Sequence, residues 1–111
     1  MRIYVDDLTP EMVFTISDPD TDVDATSVPI TLIGTIDGDV VVSRAPDSAV
    51  FIPGSGTPGA DDEFGVTRCQ LDWQPGETSR VGRMKFKAVV EWLGMPDPQT
   101  IKPLSTVRIR P

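Results

Sequence analysis

Four carboxylates at alternate positions, in Asp18-Pro19-Asp20-Thr21-Asp22-Val23-Asp24, are the densest concentration of metal-ligating oxygen in the sequence. A hard cation such as calcium takes roughly six to eight oxygen ligands, and a short acidic loop can supply several of them. An EF-hand loop opening at Asp18 would need glycine at its sixth position and a bidentate glutamate at its twelfth. Val23 and Pro29 stand there instead. The reading is a solvated acidic turn with no cofactor, in which Asp18, Asp20, Asp22 and Asp24 are the weak candidates for a calcium site. A second acidic loop, Asp61-Asp62-Glu63, adds ligands only if the fold brings the two loops together.

The remaining reactive side chains argue against catalysis. Histidine is absent, which removes the commonest general base and a frequent metal ligand. The single cysteine, Cys69, alternates onto one face with Thr67, Leu71 and Trp73, where a thiol acts as a small hydrophobe rather than a nucleophile. Gly54 to Gly59 lacks the lysine and the strand-to-helix setting of a phosphate-binding loop. Trp73 and Trp92 both fall on strand faces expected to point into a core. No catalytic residues are expected, and the chain is read as a non-enzyme.

Charge separates along the sequence. The chain carries a net charge of −7, but residues 1–65 hold thirteen acids against two bases, and residues 66–111 hold eight bases against four acids. An acidic chain repels nucleic acid and anionic membrane, so neither is an expected partner. Opposite signs in the two halves suit head-to-tail or edge-on association with further copies or with a neighbouring protein, where complementarity sets register and partner choice. Arg2, Tyr4, Asp61, Asp62, Glu63, Arg108 and Arg110 are the interface candidates.

Strands must position these groups. A chain of 111 residues suits one domain with one core, and eleven prolines with nine glycines imply many short elements joined by turns. Met84, Phe86, Ala88, Val90 and Trp92 alternate with Lys85, Lys87 and Glu91, which predicts a core strand. Thr67 to Trp73 shows the same alternation and is expected to be its antiparallel neighbour. Met12–Ile16, Pro29–Ile36, a return run Val40–Val42 across Asp37-Gly38, and an edge strand Ala49–Ile52 stopped by Pro53 complete the first half. Thr100–Ile101 and Thr106–Arg110 are closing strands, Gly54 to Glu63 is a mobile loop, and residues 1–10 form an extra strand or an arm free to dock on a neighbour. The expected fold is all-β: an immunoglobulin-like antiparallel β-sandwich of about seven or eight strands, with no disulfide across it.

Gly65-Val66-Thr67, Leu71-Asp72-Trp73-Gln74-Pro75-Gly76-Glu77-Thr78, Gly82, Met84 to Trp92 and Thr100 to Pro103 follow one another in an order that resembles small immunoglobulin-like virion proteins of tailed bacteriophages, and is similar to the N-terminal domain of the baseplate upper protein. The resemblance spans about residues 29–110. It departs after Gly82, where Arg83-Met84 replaces an aromatic beside a small or acidic residue, and the long C-terminal extension of the baseplate proteins does not follow. The resemblance implies a structural subunit of the neck, tail, baseplate or capsid surface, made in the host cytoplasm and held in the virion by contacts with other virion proteins and copies of itself. The alternative expectation is a monomeric adhesion or carbohydrate-binding module using Gly54 to Glu63 and the loop Asp18 to Asp24, stabilised by calcium.

Overall fold

The computed structural model describes residues 2–101 and 106–111, and these form two sheets without a helix. The larger sheet runs in the order β1 (Arg2–Tyr4), β9 (Thr106–Arg110), β7 (Gly82–Val90), β3 (Ile30–Ile36), β4 (Asp39–Arg44), and β8 (Gln99–Ile101) also pairs with β7. The smaller sheet is β2 (Met12–Ile16), β6 (Val66–Leu71), β5 (Ser48–Ile52). The long β7 serves two partners on one side: its first residues pair with β9 and its last with β8.

Period-two alternation decides what each strand buries. Met12, Phe14 and Ile16 of β2, Cys69 and Leu71 of β6, Ile30, Leu32 and Ile36 of β3, Met84, Phe86, Ala88 and Val90 of β7, and Val107 and Ile109 of β9 all join one buried cluster. The two sheets thus share one core, in a sandwich-like arrangement. Trp73 and Phe86 meet across it, ring centroids 6.0 Å apart and planes tilted by 58°. The Trp73 indole N–H donates to the Pro10 carbonyl at 2.9 Å, so its polar edge is satisfied although the ring is buried.

Three expectations change. β6 and β7 are not neighbours in one sheet; they lie in opposite sheets and face one another across the core. Alternation tells which side of a strand is buried, and a partner beside it or opposite satisfies that equally. The long connection between them, residues 72–81, crosses from sheet to sheet, with Thr78 buried and its hydroxyl donating to the Asp7 carbonyl at 2.8 Å. Of the two alternatives expected for the N-terminal residues, the extra strand forms and the free arm does not, because β1 pairs with β9 of the same chain and buries Ile3. That pairing is parallel, so the sheet is not purely antiparallel, and β1 brings the described strands to nine. Finally, Gly54 to Glu63 is internally bonded rather than loose: Ser55 and Gly56 donate to the carbonyls of Asp62 and Glu63. A Cβ at Gly54 would collide with the Glu63 backbone, which is why glycine stands there.

Other expectations hold. Asp37-Gly38, both at positive φ, turns β3 into β4 as a hairpin, and β5 lies at a sheet edge and ends before Pro53.

One polar clamp ties the sheets at a corner. Arg44, at the end of β4, forks onto Glu77 (Nε–Oε2 2.8 Å, Nη2–Oε1 2.9 Å), reaches Asp47 at 3.1 Å and donates to the Asp72 carbonyl at 2.5 Å. Glu77 and Asp72 belong to the chain leaving β6, so the guanidinium spans the gap. The Asp72 N–H donates to Asp47 at 2.6 Å, and this bond, aided by Arg44, holds the Asp47 carboxyl below its ordinary range. Replacing Arg44 by Met strands the Glu77 carboxylate and should cost about 2 kcal/mol, lowering Tm by about 8 °C at neutral pH. Because Asp47 is depressed, its share is present above the unfolded-state pKa and disappears as pH falls through the folded value. Calorimetry of both proteins should therefore show the gap narrowing below about pH 4.

Candidate functional site

The strand pairings put most of the chain's bases on one face. In β7, Arg83, Lys85 and Lys87 alternate with the buried Met84, Phe86 and Ala88; in β9, Arg108 and Arg110 alternate with Val107 and Ile109; in β1, Arg2 and Tyr4 flank buried Ile3. All therefore point away from the core. Register aligns them further: Arg2 stands opposite Arg108, and Arg108 opposite Arg83, so three guanidinium groups form a row across three strands. Tyr4, 57% exposed, stands opposite Arg110. None of these six cations makes an ion pair or side-chain hydrogen bond with a described residue; the salt bridges present use Arg44 and Arg80. Asp37 of the β3–β4 hairpin shares a cleft with Arg83 and Lys85, but its carboxylate, like that of Asp39, pairs with Arg80. Like charges directly opposite one another on a sheet, with Cβ atoms about 5 Å apart, are destabilising.

The acidic loops sit elsewhere. Asp18, Asp22 and Asp24 line a cleft of about 560 Å³ with Trp92, Met95 and Gln99, beyond the C-terminal end of β7. Asp18 also shares a second cleft, of about 370 Å³, with Asp61, so the fold does bring the two acidic loops together. Arg83 and Val90 stand seven positions apart on β7, a span of about 23 Å. The basic row and the acidic loops therefore occupy opposite ends of that strand.

The loop Asp18 to Asp24 is held by its backbone. Buried Thr67 of β6 donates through its hydroxyl to the Val23 carbonyl and accepts from the Ala25 N–H, both at 2.8 Å. Asp22 accepts from the Gly65 N–H at 2.6 Å. Asp18 accepts from the Asp20 N–H, and Asp24 from the Thr26 N–H and hydroxyl, which lowers the Asp24 pKa. Of the second loop, Asp62 accepts from the Ser55 hydroxyl and Glu63 from the Gly59 N–H. The bonds to Asp18, Asp24 and Glu63 turn each carboxylate toward its own loop, that to Asp22 ties its loop to Gly65, and no three acidic, histidine or cysteine side chains among the described residues converge as a metal site. Asp18 and Asp24 thus serve turn geometry, and Asp22 anchors the loop to the residue before β6.

Cys69 is fully buried, and desolvation pushes its thiol up to about 11, away from nucleophilic use. Trp92 departs from the expected core position. It lies past the end of β7, only partly buried, with its indole N–H on the Gln99 carboxamide at 2.7 Å, so it forms a wall of the larger cleft.

Arg2, Tyr4, Arg108 and Arg110, named as interface candidates from the sequence, fall together on this face. Arg83, Lys85 and Lys87 were missed as members, although bases at every second position of β7 carried the signal. Their union with β9 and β1 required the register. No family model, curated protein or solved structure matches the chain.

If the opposed arginines cost stability, Arg108→Gln should raise the free energy of unfolding by about 0.5 kcal/mol at low salt. Denaturant titrations in about 0.5 M salt, where screening falls to a few ångströms, should show the difference gone.

Proposed function

We propose that the chain is an immunoglobulin-like structural subunit of a tailed-phage virion, acting in the neck, tail, baseplate or capsid surface through protein–protein contacts. The observation that carries the assembly reading is the unpartnered row Arg2–Arg108–Arg83 with its neighbouring cations, since a monomer gains nothing from such an arrangement. A partner that brings acidic groups to this face converts the repulsion into complementarity. Sheet edges support the same reading. β4, β2 and β5 each have one side without a strand partner among the described residues, and Val40, Val50 and Ile52 on β4 and β5 are exposed. Such edges can be completed by a neighbour's strand.

The immunoglobulin-like assignment is supported by connectivity. The order β2-β6-β5 facing β1-β9-β7-β3-β4 corresponds to a B-E-D sheet against a G-F-C sheet extended by a further hairpin strand and by an initial strand beside the last. The phage assignment rests on the resemblance of residues 29–110. In this reading the protein performs no reaction, has other virion proteins and its own copies as partners, and passes from the host cytoplasm into the particle.

A second reading, a carbohydrate-binding module, is favoured by the cleft of about 560 Å³, where the Trp92 ring, three aspartates and the hydroxyls of Thr21 and Thr100 line one concavity. Mass spectrometry of purified source particles separates the two. The chain is expected as a stoichiometric component; its absence overturns the virion reading, and glycan binding lost in Trp92→Ala would then establish the second.

A further inference from the structure

The geometry points to a specific mode of self-assembly: the acidic end of one copy, formed by the aspartates of residues 18–24 and the acids of residues 61–63, docks on the basic outer face of β1, β9 and β7 of the next. This inference rests on the assembly reading above and names its partner.

Three observations select a second copy as occupant. First, charge is complementary and similar in amount: six cations on the face, and seven carboxylates on the two loops that share a cleft. Second, neither surface forms a direct ion pair within its own chain among the described residues. The six cations have no described ion-pair partner, and none of the seven carboxylates makes a salt bridge among the described residues. Third, the row Arg2–Arg108–Arg83 lies at the start of β7, with Arg83 about 23 Å along the strand from Val90, beyond which the acidic cleft opens, so the row does not reach the acidic loops of its own molecule. Pairing of this row with the acidic loops therefore requires a second copy. Two different patches meet in such a contact, so the interface is heterologous, and repetition gives a ring where the rotation closes and a filament where it does not. A net charge of −7 keeps dispersed copies apart at long range, while the local match sets orientation on approach.

The anchored loops suit this role. Thr67 and Gly65 fix the backbone of residues 22–25, while the Asp20 carboxylate makes no hydrogen bond among the described residues and Asp61 lines the shared cleft. Substitution at Asp20 and Asp61 therefore changes charge without removing a bond that holds the fold.

The test uses the full chain in analytical ultracentrifugation at low and high salt. Wild type should form concentration-dependent oligomers at about 20 mM salt and dissociate at about 0.5 M. Arg83→Glu/Arg108→Glu and, separately, Asp20→Lys/Asp61→Lys should each weaken self-association by about tenfold or more. The two variants mixed should associate again, since acid then meets base at both contacts. Circular dichroism checks that each variant is folded, and the mixing experiment excludes a merely structural loss. A wild type that stays monomeric at low salt up to about 1 mM overturns the inference, as does an oligomer indifferent to both charge reversals. A monomeric chain whose basic face instead retains heparin or DNA overturns it too, by assigning the face to an anionic polymer. None of these outcomes bears on whether the chain is present in particles, so the virion reading stands or falls separately.

Discussion

Everything on the outside of this protein depends on the burial of one side of each of its two sheets against the other. With one cysteine and no disulfide, cohesion comes from side chains such as Met12, Leu32, Leu71, Met84 and Val107, all at zero exposure, with Trp73 and Phe86 in contact between the sheets. Close-packed interiors tolerate few changes of volume. Gly34 illustrates this, since a Cβ there would press on Met84 and the Phe86 ring. Because alternation commits every second residue to the core, it commits the others to solvent, and the outer faces are left to carry whatever charge the sequence supplies.

Polar groups at the margins fix how the sheets sit. The Arg44 fork on Glu77 is bidentate and partly shielded, the geometry in which a guanidinium contributes most. Thr67 performs the corresponding task at the other end, tying the acidic loop to β6 through two bonds to main chain. Both are side chain to neighbouring-segment contacts, and both leave buried polar atoms satisfied: no buried side-chain nitrogen or oxygen among the described residues lacks a partner. Against that economy, the alignment of Arg2, Arg108 and Arg83 is out of character. A fold that pairs Arg44 and Arg80 with acids, yet leaves a row of cations opposed, concentrates its electrostatic cost on one surface.

Strand existence was legible in the sequence because the signal is local. Met84 to Val90 and Thr67 to Leu71 declare their buried faces through period two, and Asp37-Gly38 declares a hairpin through its tolerance of positive φ. Sheet membership was not legible. β6 and β7 show the same apolar stripe whether adjacent or opposed, and only the crossing of residues 72–81, longer than a tight hairpin loop, distinguishes the two. The position of β1 was equally hidden, since three residues with one buried isoleucine carry too little pattern to name a partner.

The sequence by itself determined the composition of the two charged groups: acids gather before residue 66 and bases after it, and alternation sends the bases of residues 83–87 and 108–110 outward. Tertiary structure alone decided that these bases, with Arg2, form one continuous face, that Asp18 and Asp61 share a cleft, and that Trp92 borders the acidic end. The physical reason is that side-chain direction is set by neighbouring bonds along the chain. Lateral adjacency is set by which distant strands exchange hydrogen bonds, and that choice follows from closing a single core.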